Sequence, residues 1–240
     1  MTVDLLKRIE NGETSFLKLD VDELDLRDIE ATDLSFRQCT FAKVDFGNAY
    51  LEGMTCTDCK FVDCSFVGAV LEDSTFLRTS FYRINQPCVF ARADLRFSTF
   101  EGCDVRLCSF QYARLLKSTW KETNATGADF FRAEFGRAVV INDCHFRMTD
   151  LREADLRGCD LSKTDFEQAN LENAKLQEAN LSSCNFAGSN LRYAVLKGAD
   201  CWGANISSFD IRTMDLTDVK IYESQGKVLL ENAGLALFDD

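Results

Sequence analysis

From Ala154 to Phe186 a large apolar residue falls at every fifth position: Leu156, Leu161, Phe166, Leu171, Leu176, Leu181 and Phe186. Two places before each stands a small residue: Ala154, Cys159, Thr164, Ala169, Ala174, Ala179 and Cys184. An α-helix advances about 500° in five residues, so its leucines would drift around every side. In a strand, an odd step sends successive leucines to opposite faces. A single core results if the chain runs straight for about three residues and then turns a corner, so that i−2 and i point the same way. Four such corners close a square coil, and coils stack at the strand spacing of about 4.8 Å.

The period is long. From Phe146 to Ile221 all sixteen central positions are apolar, Ile211 and Leu216 among them. A second block in the same phase runs from Phe36 through Phe41, Phe46, Leu51, Cys56, Phe61, Phe66, Leu71 and Phe76 to Phe81. Between them Leu95, Phe100, Val105, Phe110, Leu115, Trp120, Phe130, Phe135 and Val140 keep the period one residue out of phase. The expected organisation is an N-terminal helical cap over 1–14, a coil over 15–221 and a C-terminal segment over 222–240. Register slips are expected near 82–94 and 140–145. The first contains the only proline, Pro87, which cannot donate a ladder hydrogen bond, so Tyr82, Arg83, Asn85, Gln86 and Pro87 are expected to protrude. About ten coils at the strand spacing give a rod about 50 Å long. Residues twenty apart should stack, as in Phe41–Phe61–Phe81, Phe146–Phe166–Phe186 and Leu156–Leu176–Leu196–Leu216.

Beyond the coil the pattern changes. "TVDLLKRIENGE" reads as a short helix stopped by Gly12. At the other end Val228, Leu229 and Leu230 fall in an expected helix ending at Gly234, followed by "LALF" as a short strand. Trp202 and Tyr222 lie twenty apart at an outward position, so they should stack on one face beside that tail. Exposed aromatics next to an amphipathic segment mark a covered surface.

Composition narrows the chemistry. No apolar run approaches the length of a membrane span, and the first residues lack the basic and apolar regions of a leader, so a cytoplasmic location is expected. Eight of the eleven cysteines occupy the small slot, as compact apolar fillers rather than disulfides. Cys56 and Cys59 have zinc-knuckle spacing, but both point inward and no second pair completes a site. His145 is the only histidine and sits outward; no phosphate-binding glycine loop or nucleophile–base pair occurs. No enzyme, cofactor or metal is expected. With 27 Lys and Arg against 39 acids the net charge is −12, which repels nucleic acid and anionic membranes and suits a basic partner. The candidate partner-binding carboxylates are Asp20, Asp22, Glu23 and Asp25 near the start, and Asp200, Asp210, Asp215 and Asp218 near the end.

"ADLRG", "CDLSK", "ANLEN" and "GADFF" resemble the unit of the pentapeptide-repeat family, over residues 15–221. The resemblance implies an all-β, right-handed quadrilateral β-helix. The ending is similar to that of the Qnr-type proteins, which protect DNA gyrase and topoisomerase IV from quinolones. Cys201-Trp202-Gly203, Val219 to Ile221, Gln225, Leu229-Leu230-Glu231 and Gly234-Leu235 carry this likeness. It implies a homodimer through a C-terminal helix–strand tail, with Trp202, Tyr222, Val228, Leu229, Leu230, Leu235, Leu237 and Phe238 at the interface. It also implies a partial mimic of duplex DNA whose partner is gyrase or topoisomerase IV. The competing expectation is a structural or signalling module that binds another protein through one flat face.

Overall fold

In the computed structural model, which describes residues 5–235, three-residue strands alternate with tight corners. Seven strands form one parallel sheet: Ser15–Leu17, Ser35–Arg37, Thr55–Thr57, Thr75–Leu77, Thr99–Glu101, Thr119–Lys121 and Val140–Asn142. Asp20–Asp22, Thr40–Ala42 and Lys60–Val62 form a second. Single parallel bridges continue the stacking on two further sides, for example Asp25 to Asp45 to Ser65 and Glu30 to Tyr50 to Val70. The four faces carry, in order, Phe36, Phe41, Phe46 and Leu51, all buried. Ten pairing steps lead from Ser15 to Lys220 along the first face.

The corners explain why the fifth residue of each unit is so often polar or glycine. Lys18, Glu23, Asp28, Asp33 and their equivalents adopt the left-handed conformation, with φ between 52° and 57° in this first coil. Asp and Asn one place before the central residue serve the same turn. Their carboxyl or amide oxygens accept the backbone N–H two residues on, as Asp129 does from Phe131 at 2.9 Å and Asn185 from Ala187 at 3.1 Å.

Inside, the aromatic columns stack at the coil repeat. Ring centroids are 4.7 Å apart for Phe41–Phe61, 4.7 Å for Phe46–Phe66 and 4.1 Å for Phe100–Trp120. Each fully buried ring contributes about 2–3 kcal/mol through area removed from water. The small slot also has a polar task. Its thiols and hydroxyls donate to the carbonyl of the coil beneath: Cys59 to Phe36, Thr79 to Cys56, Cys103 to Phe76, Thr123 to Phe100 and Cys184 to Leu161.

The two slips take definite forms. Thr75 pairs with Thr99, four places beyond the twenty-residue repeat, so four extra residues leave the coil at the corner between the second and third faces. The regular pattern resumes at Cys88 and Phe90, and Phe90 stacks between Phe66 and Phe110. Thr119 pairs with Val140, one place beyond the repeat. The extra residue lies at Gly136–Ala138, before the 140–145 stretch expected from sequence. Val139 and Ile141 are therefore the buried pair, and Val140 faces outward rather than holding a central position. The insertions leave from diagonally opposite corners.

The last turn departs further from the pattern. Phe209 occupies a slot that holds no other aromatic ring, and it is buried, with its ring 5.5 Å from that of Phe186. Its bulk takes the core volume meant for Ile211, which is 44% exposed, and a helical turn from Asp210 to Met214 replaces the strand. Ile211 is thus not a core residue; Phe209 and Met214 are.

Two helices cover the ends of the described coil. In α1 (Leu5–Glu10), Leu5 is buried, Leu6 and Ile9 pack on the core, and Gly12 turns the chain at φ 83°. Arg8 lies over the Phe16 ring at 4.9 Å and pairs with Glu13. In α2 (Glu223–Asn232), the Gln225 side chain is buried beneath the helix. The expected strand over "LALF" lies mostly outside the described residues.

Candidate partner surface

The eight candidate carboxylates do not converge. Asp20 and Asp22 flank the second face of the first coil, Glu23 is at the next corner and Asp25 begins the third face. In the last coils Asp200 stands on the first face and Asp215 on the fourth. Several are already engaged. Glu23 accepts a hydrogen bond from Lys43 Nζ at 2.7 Å, Asp25 pairs with Arg27 at 2.6 Å and Asp210 with Arg212 at 2.8 Å. Asp200 accepts the Trp202 N–H, and Asp215 accepts both the N–H and hydroxyl of Thr217. The Arg27 guanidinium, aided by its backbone N–H, holds the Asp25 carboxyl down at about 2. Asp210 is lowered by Arg212 in the same way, and Asp215 by Thr217. The first coil nevertheless concentrates charge: residues 20–33 hold seven acids and one arginine.

Of the expected protrusion, only part projects. Tyr82 is half-buried under the Arg106 guanidinium, 4.3 Å from its ring centroid. The Gln86 carbonyl accepts the Asp63 N–H at 3.2 Å, and Pro87 is half-buried. Arg83 and Asn85 are exposed, and between them Ile84 is 73% exposed. Sequence reasoning passed over Ile84, although an aliphatic residue outside the five-residue register was the available signal.

At the C-terminal end, Trp202 and Tyr222 stack outward with centroids 6.2 Å apart and planes 14° from parallel. They are 49% and 55% exposed, and Leu230 and Leu235 of the C-terminal segment are exposed as well. Leu229 packs on the core, while Val228 lines a shallow cavity with Ala204, Ile206 and Gln225. Leu237 and Phe238 lie outside the described residues. Beneath the helix, Gln225 Nε2 donates to the carbonyls of Cys201 at 2.9 Å and Ala204 at 2.8 Å. Its Oε1 accepts the Tyr222 N–H at 2.8 Å. Asn232 reaches down to the carbonyls of Ser207 and Phe209. These carbonyls have no further coil to accept from, so two amide side chains replace it.

Among the described residues no group of three or more His, Cys, Asp or Glu side chains is placed to hold a metal ion. No described helix is long and apolar enough to cross a membrane. All eleven cysteines are buried and free, Cys56 and Cys59 included. His145 is exposed on the second face.

A trypsin-treated form of QnrB1, a plasmid-mediated fluoroquinolone resistance protein, has a similar structure: TM-score 0.71 at 24% identity over 93% of this chain and 100% of that one. Full-length QnrB1 gives a TM-score of 0.73 at 23% identity, over 92% of this chain and 100% of its own. Identity at this level speaks for the fold. No curated protein sequence matches the chain. Pentapeptide repeats match residues 88–119, 137–173 and 174–212, in eight copies. Within residues 88–212 the four-sided coil therefore carries pentapeptide repeats.

Proposed function

We propose that this protein is a non-enzymatic, cytoplasmic dimer that binds a type II DNA topoisomerase, gyrase or topoisomerase IV, and protects it from an inhibitor such as a quinolone. The observation that carries this reading is the C-terminal end. There the coil is closed by Gln225 and Asn232, while the Trp202–Tyr222 stack, Leu230 and Leu235 are exposed apolar groups suited to contact with a second copy. Likeness of fold to a fluoroquinolone resistance protein over nearly the whole chain supports it.

Mimicry of DNA is partial on this reading. Duplex DNA carries one charge per about 1.7 Å of axis, so a rod of about 50 Å would need about 30 negative charges for a full imitation. The chain has a net charge of −12. Carboxylates of the first coil, with Asp20 and Asp22 free of ion pairs among the described contacts, would stand where basic residues of the enzyme otherwise hold phosphates. The projecting Arg83–Ile84–Asn85 tip would add a contact with no counterpart in DNA.

The test is a supercoiling and cleavage assay with gyrase and topoisomerase IV against quinolones and peptide or natural-product inhibitors. The expected result is relief of poisoning by at least one inhibitor, with binding that weakens as salt rises. No change in supercoiling or cleavage with any inhibitor class overturns the proposal. Sedimentation should show a dimer that Trp202→Ala with Tyr222→Ala converts to monomer.

A further inference from the structure

The charge of the rod is unevenly distributed. Residues 78–121 carry eight Lys or Arg and only three Asp or Glu, in a chain whose net charge is −12. Four of the Arg side chains here are spent within the molecule: Arg78 on Asp58, Arg96 on Glu72 and Asp94, Arg106 on Asp104, and Arg114 on Asp94. Of the remainder, Arg92 and Lys117 join Arg132 and Arg137 of the next coil on one side. Arg92 and Arg132 occupy the same left-handed corner position two coils apart, between the third and fourth faces, with Tyr112 between them. Across the fourth face Lys117 stands at the opposite corner, and Arg137 lies in the one-residue insertion above it. All four cations are exposed, and none has an ion-pair partner among the described contacts.

The same side also exposes apolar surface. Phe97 is 39% exposed, Tyr112 43% and Leu116 38%. Lys117 Nζ lies 5.2 Å from the Phe97 ring centroid. Leu116 covers Gly136, where an added Cβ would meet Leu116 Cδ1 at 2.5 Å. Arginine and aromatic side chains on a rigid surface are the composition of interface anchors. The acids here are few: Asp94 is almost buried between Arg96 and Arg114, and Glu134 lies 3.8 Å from Arg114.

We propose that the fourth face, between Arg92 and Arg137, docks a short acidic protein segment bearing apolar side chains. Charge complementarity selects the acid, and the half-open Phe97, Tyr112 and Leu116 select the apolar groups. Height argues against a nucleic acid duplex as occupant. The basic band spans two to three coils, roughly 10–15 Å at the strand spacing. Directly beneath it lie Glu72 and Asp73, and above it Glu153 and Asp155. A duplex laid along the rod would carry its phosphates past the band onto these acids. A peptide of a few residues fits within it. This surface is independent of the topoisomerase reading, so loss of either activity leaves the other to be measured.

The test is fluorescence anisotropy with a fluorescein-labelled peptide of repeated Glu-Leu-Asp-Phe units, alongside labelled duplex DNA. The peptide is expected to bind, with affinity falling steeply as salt rises across the physiological range. Arg92→Glu, Lys117→Glu and Arg132→Glu should each weaken it at least about fivefold. Tyr112→Asn should weaken it without changing the salt dependence. Lys163→Glu, at the corner between the first and second faces, should leave it unchanged. Far-UV circular dichroism checks that each variant keeps its coil. The proposal is overturned if the peptide does not bind, if duplex DNA binds in its place, or if Lys163→Glu weakens binding as much as the other reversals.

Discussion

The Gln225 side-chain amide donates to the main-chain carbonyl of Cys201 at 2.9 Å, across the seam between the last coil and α2. It is the contact that stops the stack, because it satisfies acceptors that another coil would otherwise meet. Gln225→Leu keeps most of the volume and removes the donor. The Ala204 carbonyl is then left unpaired, at a cost of about 1–3 kcal/mol, while that of Cys201 keeps the Ala204 N–H at 3.0 Å. The expected outcome is a lower thermal midpoint, read by circular dichroism, with faster amide exchange in the last coil. An unchanged midpoint would show that water serves those carbonyls equally well.

Phe209 and Ile211 exchange the roles that the five-residue period assigns them. Phe209→Ala should cost about 3–5 kcal/mol, the range for emptying a buried aromatic site. Ile211→Ala, at an exposed position, should change stability by no more than about 0.5 kcal/mol. Chemical denaturation of the two variants measures the difference directly.

Two glycines separate backbone strain from crowding. Gly127 has φ 70°, and a Cβ there would meet Leu107 Cδ2 at 2.6 Å; Gly158 has φ 65° and open space around it. Gly158→Ala should cost about 1–2 kcal/mol from the left-handed conformation alone. Gly127→Ala adds the displacement of Leu107, so it should be the more destabilising of the pair. Equal midpoints would mean that Leu107, half-exposed at its corner, moves aside without cost.

Acid should loosen the first coil. The folded Asp25 carboxyl titrates at about 2, below its ordinary value of 3.8, because Arg27 holds the ionised form. Its contribution is present above pH 3.8 and is lost as pH falls towards 2. Asp25→Asn should therefore flatten the decline in stability across that window. A denaturation series from neutral pH downward checks the slope.

Alkali should act through the thiols. Burial pushes Cys103, Cys144 and Cys201 up to about 12 from an ordinary 9.0. The unfolded chain loses these protons first, so stability should fall as pH rises from about 9 towards 12. At neutral pH the eleven buried thiols should react with a disulfide reagent only after denaturant is added. Rapid labelling of the native protein would contradict their burial.

The coil was legible because each five-residue unit writes the same physical instruction: a large apolar residue inward, a small one beside it, a turn-former at the corner. Legibility fails where two instructions compete. "AVVI", from Ala138 to Ile141, offers four consecutive apolar residues, so the phase is undetermined until pairing partners select Val139 and Ile141. At Phe209 the clue was visible, a ring in a slot that elsewhere holds no aromatic residue, but Ile211 still satisfied the period. The carboxylates were the least legible part. Their positions are set by turns, and whether an Asp is free or engaged depends on an arginine two residues along or a lysine one coil away, as with Asp25–Arg27 and Glu23–Lys43.

Because every coil hydrogen-bonds only to the coils directly above and below it, the rod has the mechanics of a zip with a stop at each end. Pulled apart by its termini, it should release first at α1 or α2 and then peel turn by turn, about twenty residues at each step. The Phe100–Trp120 stack, deep in the middle, would be the last tooth to part.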